Sequence, residues 1–135
     1  MAGFVANDIG AVDISCFIPA SADLSALQYH FVRIDASELD NEIELVATAG
    51  GQALGILQER PKASTAQWVR VRVKGCSKLV YGGTIARGAS IQSDSDGEGL
   101  TASTADYVLA YALESGADQD LRHVVVNCPG GQNNA

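Results

Sequence analysis

The segment WVRVRVK, Trp68–Lys74, alternates strictly: Val69, Val71 and Val73 fall on one side, and Trp68, Arg70, Arg72 and Lys74 on the other. A period of two marks a strand with one face in a core, because successive side chains of an extended chain point to opposite sides. Working outward, short apolar runs recur at Tyr29–Ile34, Ile43–Ala47, Ala53–Gln58, Lys78–Tyr81, Ala89–Ser93, Tyr107–Leu113 and Arg122–Asn127. Gly50-Gly51, Gly75, Gly82-Gly83 and Asp96-Gly97 lie between runs, each offering the positive φ that sharp turns demand. This spacing predicts an all-β fold, a barrel or a sandwich, with at most one short helix.

The one segment that competes is 105–114. Ser103-Thr-Ala-Asp106 resembles a helix capping box and Gly116 stands where a helix would stop, yet Tyr107, Leu109, Tyr111 and Leu113 alternate with Val108, Ala110 and Ala112. Both periods fit so short a run; strand is the reading adopted. Shifting the chain by 55 residues sets Leu54 on Leu109, Glu59 on Glu114, Val69 on Val124 and Val71 on Val126. Two β units of similar layout would produce this echo, as would chance agreement between Val-rich strands. Residues 1–20 read as an extended N-terminal arm carrying its own strand pattern, Val12, Ile14, Cys16 and Ile18, closed by Pro19. The domain proper is expected over 21–128, and 129–135 (PGGQNNA is the closing stretch) reads as a flexible polar tail.

The chain's 135 residues suit one domain, and its 47% hydrophobic content is ample for a core. A formal charge of −7 repels phosphate backbones, so nucleic acid is not an expected partner. There is no apolar run of membrane-spanning length and no secretory signal pattern, so synthesis in a cytoplasm and no membrane partner are expected. Cys16, Cys76 and Cys128 are widely spaced with no CxxC pair, which reads as free, buried thiols.

Candidate chemistry is thin. Asp94-Ser-Asp96-Gly-Glu98 resembles the opening of a calcium loop, but the twelfth position is Ala105 where a bidentate carboxylate belongs, so a solvated hairpin turn is expected and no metal or cofactor. The Gly97-x-Gly99-x-x-Ala102 spacing crowds three carboxylates where a pyrophosphate would sit. Neither His30 nor His123 lies in a catalytic motif, and no GxSxG, HExxH or P-loop pattern is present, so no catalytic residue is assigned. Arg70 and Arg72, with Lys74, form a basic stripe that either pairs with carboxylates such as Glu42 and Glu44 or docks on an acidic partner. Trp68, the single tryptophan, is either a barrel cap or an interface anchor.

The order of runs in DLSALQYHFVRID (23–35), GGQALGILQERP (50–61), WVRVRVKGCSKLVYGGTIARGASIQSDSDG (68–97) and ADYVLAYALESGADQDLRHVVVN (105–127) resembles the small capsid decoration proteins of tailed bacteriophages, the head cement or head fibre-base proteins. The resemblance covers about residues 21–131, rests on turn and packing patterns, and implies a small β-barrel or tulip-like domain. It implies a homotrimer on the virion, at the capsid exterior, that binds the major capsid protein and bridges its subunits; the alternative is the base of a head fibre or a host-surface adhesin. A ligand-binding or enzymatic β-barrel is the rival from another class. The arm is longer than the family's lead-in, and Phe4, Val12, Ile14, Phe17 and Ile18 are the candidate capsid contacts, with residues 12–18 adding to a capsid sheet edge. Trp68, Arg70 and Arg72 are the other interface candidates. Deleting residues 2–18 is then expected to remove capsid binding and leave a folded domain.

Overall fold

The computed structural model describes residues 11–36, 40–103 and 105–128, so Phe4 and the 129–135 tail lie outside the described residues. Nine strands succeed one another among them: β1 (Val12–Ile18), β2 (Phe31–Ile34), β3 (Ile43–Leu45), β4 (Gly55–Leu57), β5 (Gln67–Val80), β6 (Ser90–Ser93), β7 (Gly99–Thr101), β8 (Ala110–Ala112) and β9 (Leu121–Asn127). They form one curled antiparallel sheet in the order β3-β2-β4-β5-β9-β8-β6-β7, with β1 on β5. The fold is all-β, and the described residues contain no helix. The segment 105–114 supplies β8 and a turn in which the Asp106 N–H donates to the Ser103 carbonyl at 3.2 Å. β7 was not anticipated, because three residues, Gly-Leu-Thr, carry no periodicity.

The alternation at 68–74 becomes the spine of the molecule. Val69, Val71 and Val73 are buried with Cys16, Ile18, Leu24, Val32, Ile43 and Leu57 in one apolar cluster. A second cluster joins Leu79, Tyr81, Ile85, Ile91, Leu109, Val124 and Val126 to Phe31 and Ile56, which lie on the opposite side of the first strands. Gly75 does not end a strand as its sequence context predicts: β5 runs through it for 14 residues. The first half of β5 is paired by β1 and β4 and the second by β9, so the backbone groups are satisfied without a reversal. Gly75 only re-aims the strand, at φ +104, and a Cβ there would come within 2.9 Å of Ala11 Cα.

Residues 12–18, expected in an arm, are instead the first strand of this sheet, paired with β5 from Val12↔Lys74 to Ile18↔Gln67. The reason is physical: Cys16 and Ile18 complete the first cluster, and β1 satisfies a ladder that β5 would otherwise leave open.

The 55-residue echo corresponds to a repeated topology. In a first unit (β1 to β4 and the first half of β5), β2 pairs with β3 and β4, β4 pairs with β5, and a parallel bridge from Phe17 to Glu42 links β1 to the start of β3. In a second unit (the rest of β5, then β6 to β9), β6 pairs with β7 and β8, β8 pairs with β9, and a parallel bridge joins Tyr81 to Gly99. Registers match: Phe31↔Ile56 and Val32↔Gly55 correspond to Ser90↔Tyr111 and Ile91↔Ala110. Among the described residues the positive-φ positions also match in pairs, Tyr29 with Gly88, Asn41 with Gly97, Gly50 with Ala105, and Ser64 with Gln119, and the one left over is Gly75 at the junction.

Candidate interaction surface

Of the first set of contact residues proposed from sequence, Phe17 joins the second set on one face of the ribbon that β1 and β5 form. Antiparallel pairing sets Phe17 opposite Trp68, Ser15 opposite Arg70 and Asp13 opposite Arg72, so these six side chains share the outward side of β1 and β5. Trp68 is 57% exposed and meets the Phe17 ring edge-on, centroids 5.4 Å apart. An exposed indole propped by a second ring loses little freedom on binding, which is what an interface anchor requires.

The cations beside it are held in place. Arg72 Nε donates to Asp13 Oδ1 at 2.7 Å, Nη2 to Asp13 Oδ2 at 3.1 Å, and Nη1 to the Cys76 carbonyl at 2.9 Å. Arg72 is therefore only 5% exposed, and it acts as a brace between β1 and β5 rather than as an open contact. Arg70 remains on the surface, reaching Asp13 Oδ2 at 3.3 Å and Glu59 Oε1 at 3.2 Å. The carboxylates expected to pair with this stripe do not: Glu44 binds Arg33 at 2.8 Å, and the buried Glu42 Oε2 has no hydrogen-bond partner. Asp13 and Glu59 were missed, since their role comes from the β1–β5 register and from the bend after β4. Val12 and Ile14 are exposed, but Ile14, opposite Val71, turns to the other face of β1 from Phe17, and Ile18 is fully buried and unavailable to any partner.

Elsewhere, Asp94, Asp96 and Glu98 gather their carboxylates within 4.8 Å of one another. Asp94 Oδ1 accepts the N–H groups of Asp96 and Glu98 at 2.8 and 2.9 Å, and Glu98 accepts from the Gln119 amide, which is the hydrogen bonding of a tight turn. His30 lies 3.5 Å from Glu98, with Nδ1 3.1 Å from the Gln28 carbonyl. Burial pushes the Cys128 thiol up to about 12, and the same cause raises Cys16. An open hollow of about 400 Å³ is lined, among the described residues, by Arg33, Ile34, Gln52, Ala53 and Leu54, and Arg33 is already engaged by Glu44.

No family model and no curated protein sequence matches this chain. A solved structure does: the head fiber gp8.5 N base of bacteriophage phi29, over 86% of this chain and 95% of that one, with a TM-score of 0.68. The fold is that of a phage head-fibre base. Identity is 16%, so the strand scaffold is shared while most side chains differ, and the likeness agrees with the resemblance in strand order seen in the sequence. The Phe17–Trp68–Arg70 ribbon has to be read from this chain's own chemistry.

Proposed function

We propose that this chain is a structural protein of a phage head that decorates the capsid exterior by binding the major capsid protein, as a homotrimer that bridges shell subunits. The observation that carries the reading is the exposed Trp68, propped by Phe17 and framed by ion-paired arginine on a head-fibre-base fold. Such a ribbon favours adhesion: its apolar anchor is preorganised, and the cost of ordering Arg70 is largely met before a partner arrives. A protein that binds only the assembled shell stabilises that shell by mass action, as a ligand stabilises a native state. Three copies joined as a trimer would add avidity.

A second reading, the base of a longer head fibre, is supported by the likeness to the phi29 head fiber base, and it shares the same attachment face. Cosedimentation with shells tests the common claim. The chain is expected to pellet with expanded shells, and Trp68→Ala with Arg70→Ala is expected to stay in the supernatant while melting cooperatively. Pelleting by that variant at the wild-type level would move the contact off this ribbon.

A further inference from the structure

The two units meet inside the chain, and the first covers the end of the second. Phe31, Val46, Ala53 and Ile56 pack in the second unit's cluster, Gln58 Nε2 donates to Ser77 Oγ at 2.9 Å, and the Gly50 N–H donates to the Ser93 carbonyl at 2.8 Å. Ser77 and Ser93 are buried in this junction.

Matching hydrogen bonds fix which residues of the two units correspond. Glu59 Oε1 accepts the backbone N–H of Arg70 at 3.0 Å, and Glu114 Oε2 accepts that of His123 at 2.7 Å. Gln58 N–H donates to the Arg70 carbonyl at 3.0 Å and Leu113 N–H to the His123 carbonyl at 3.1 Å, while Leu54 N–H to the Val32 carbonyl is repeated by Leu109 N–H to the Ile91 carbonyl, each at 2.8 Å. Leu113 is therefore the counterpart of Gln58. Strand registers make Tyr111 the counterpart of Ile56, Ile14 that of Ser77, and Ile34 that of Ser93.

Each chain thus holds both halves of a second such junction, unused. Tyr111 and Leu113, on the covering face of the second unit, are exposed, as is Val125 opposite Tyr111, and among the described residues no further unit packs on them. Ile14 and Ile34, at the end of the first unit, lie on the side of their strands that faces the first cluster, by alternation from Cys16 and Val32. They are nevertheless 38% and 61% exposed, and Ile34 also lines the hollow of about 400 Å³. Terminal faces of stacked repeats are ordinarily polar, for solubility. Here they are more apolar than the junction inside the chain: the hydrogen-bonded pair Gln58 and Ser77 corresponds to Leu113 and Ile14. Both members have changed in the same direction, which suits two surfaces that meet each other.

We infer that the Tyr111–Leu113 face of one copy caps the Ile14–Ile34 end of a second copy, head to tail, repeating between chains the junction that joins the two units within one. The two surfaces differ, so the contact is heterologous: a dimer keeps one open face and one open end, and association proceeds past two copies. The inference rests on the repeat rather than on shell binding, and it gives the proposed homotrimer its contact, a ring of three. Ile14 and Phe17 lie on opposite faces of β1, so this contact leaves the Trp68 ribbon open.

The test is sedimentation velocity of the full chain over a concentration series. Wild type is compared with a face variant (Tyr111→Ser, Leu113→Gln) and an end variant (Ile14→Ser, Ile34→Ser), which restores the serines of the internal junction. Thermal melts check folding, and Ile34→Asp alone replaces the end variant if that one does not melt cooperatively. Wild type is expected to sediment as a species larger than a dimer and each variant alone as a monomer. An equimolar mixture of the two variants is expected to form a dimer, because one intact face then meets one intact end. An end variant that still associates, as a two-fold contact through Tyr111 alone would allow, overturns the head-to-tail inference. Cosedimentation with expanded shells separates this inference from the functional reading: a monomeric wild type that pellets overturns the inference and leaves shell binding standing, whereas a wild-type oligomer that stays in the supernatant does the reverse.

Discussion

Replacing Asp13 by alanine is expected to lower the melting temperature by roughly 10–20 °C, because Arg72 cannot follow its partner into solvent. The guanidinium donates to both Asp13 oxygens, at 2.7 and 3.1 Å, and its side chain is 6% exposed. Removing one partner of a buried ion pair costs about 3–5 kcal/mol. At this chain length each kcal/mol corresponds to roughly 3–5 °C. The neighbouring Arg70 supplies the control. Its side chain is 56% exposed, so Arg70→Ala is expected to cost under about 1 kcal/mol although it too contacts Asp13. The assay is far-UV circular dichroism during thermal and urea unfolding of wild type, Asp13→Ala, Arg72→Met and the double variant. The double variant is expected to recover part of the loss, since it buries no guanidinium at this position. An Asp13→Ala melt within 2 °C of wild type would refute the assignment of Arg72 as the brace that fixes β1 on β5.

Deleting residues 2–18 removes Cys16 and Ile18 from the first cluster and takes Asp13 away from Arg72, so it is expected to abolish cooperative unfolding; a truncated chain that melts sharply would restore the arm reading. Gly75→Ala forces a Cβ against Ala11 at φ +104 and is expected to cost about 1–3 kcal/mol, while Gly88→Ala, with nothing within 4 Å, costs less; equal losses would contradict the close approach at Gly75. The His123 backbone N–H, ahead of its side chain, holds the Glu114 carboxyl below its ordinary range. A depressed carboxyl contributes stability that is present above its ordinary pKa and lost as pH falls through the lowered folded value, so Glu114→Gln is expected to flatten the acid limb of stability, and an unchanged acid limb in urea titrations argues against the contact.

Local pattern explains what the sequence reveals. Val69, Val71 and Val73 announce an inward face by alternation alone, and Gly50 and Gly97 sit at positive φ where turn chemistry places them. Alignment of Leu54 with Leu109 and of Glu59 with Glu114 identifies true counterparts, as their matching hydrogen bonds show. The last strands are less faithful: Arg70 corresponds to His123, so the structural match is two residues away from the 55-residue shift that set Val69 on Val124. A two-residue slip keeps every side chain on its face, which is why the Val pattern looked right. The pairing of β1 was hidden because it joins segments over 50 residues apart, and nothing local distinguishes a strand bound for its own sheet from one bound for a partner's. The union of Phe17 with Trp68, and of Asp13 with Arg72, follows from that register alone.

The most direct test of the central claim is an image of expanded shells incubated with this chain, at a resolution that separates its two units. Density on the outer surface with β1, β5 and Trp68 turned toward the shell protein is the predicted result. Bare shells, or a chain attached with Trp68 facing solvent, would contradict it.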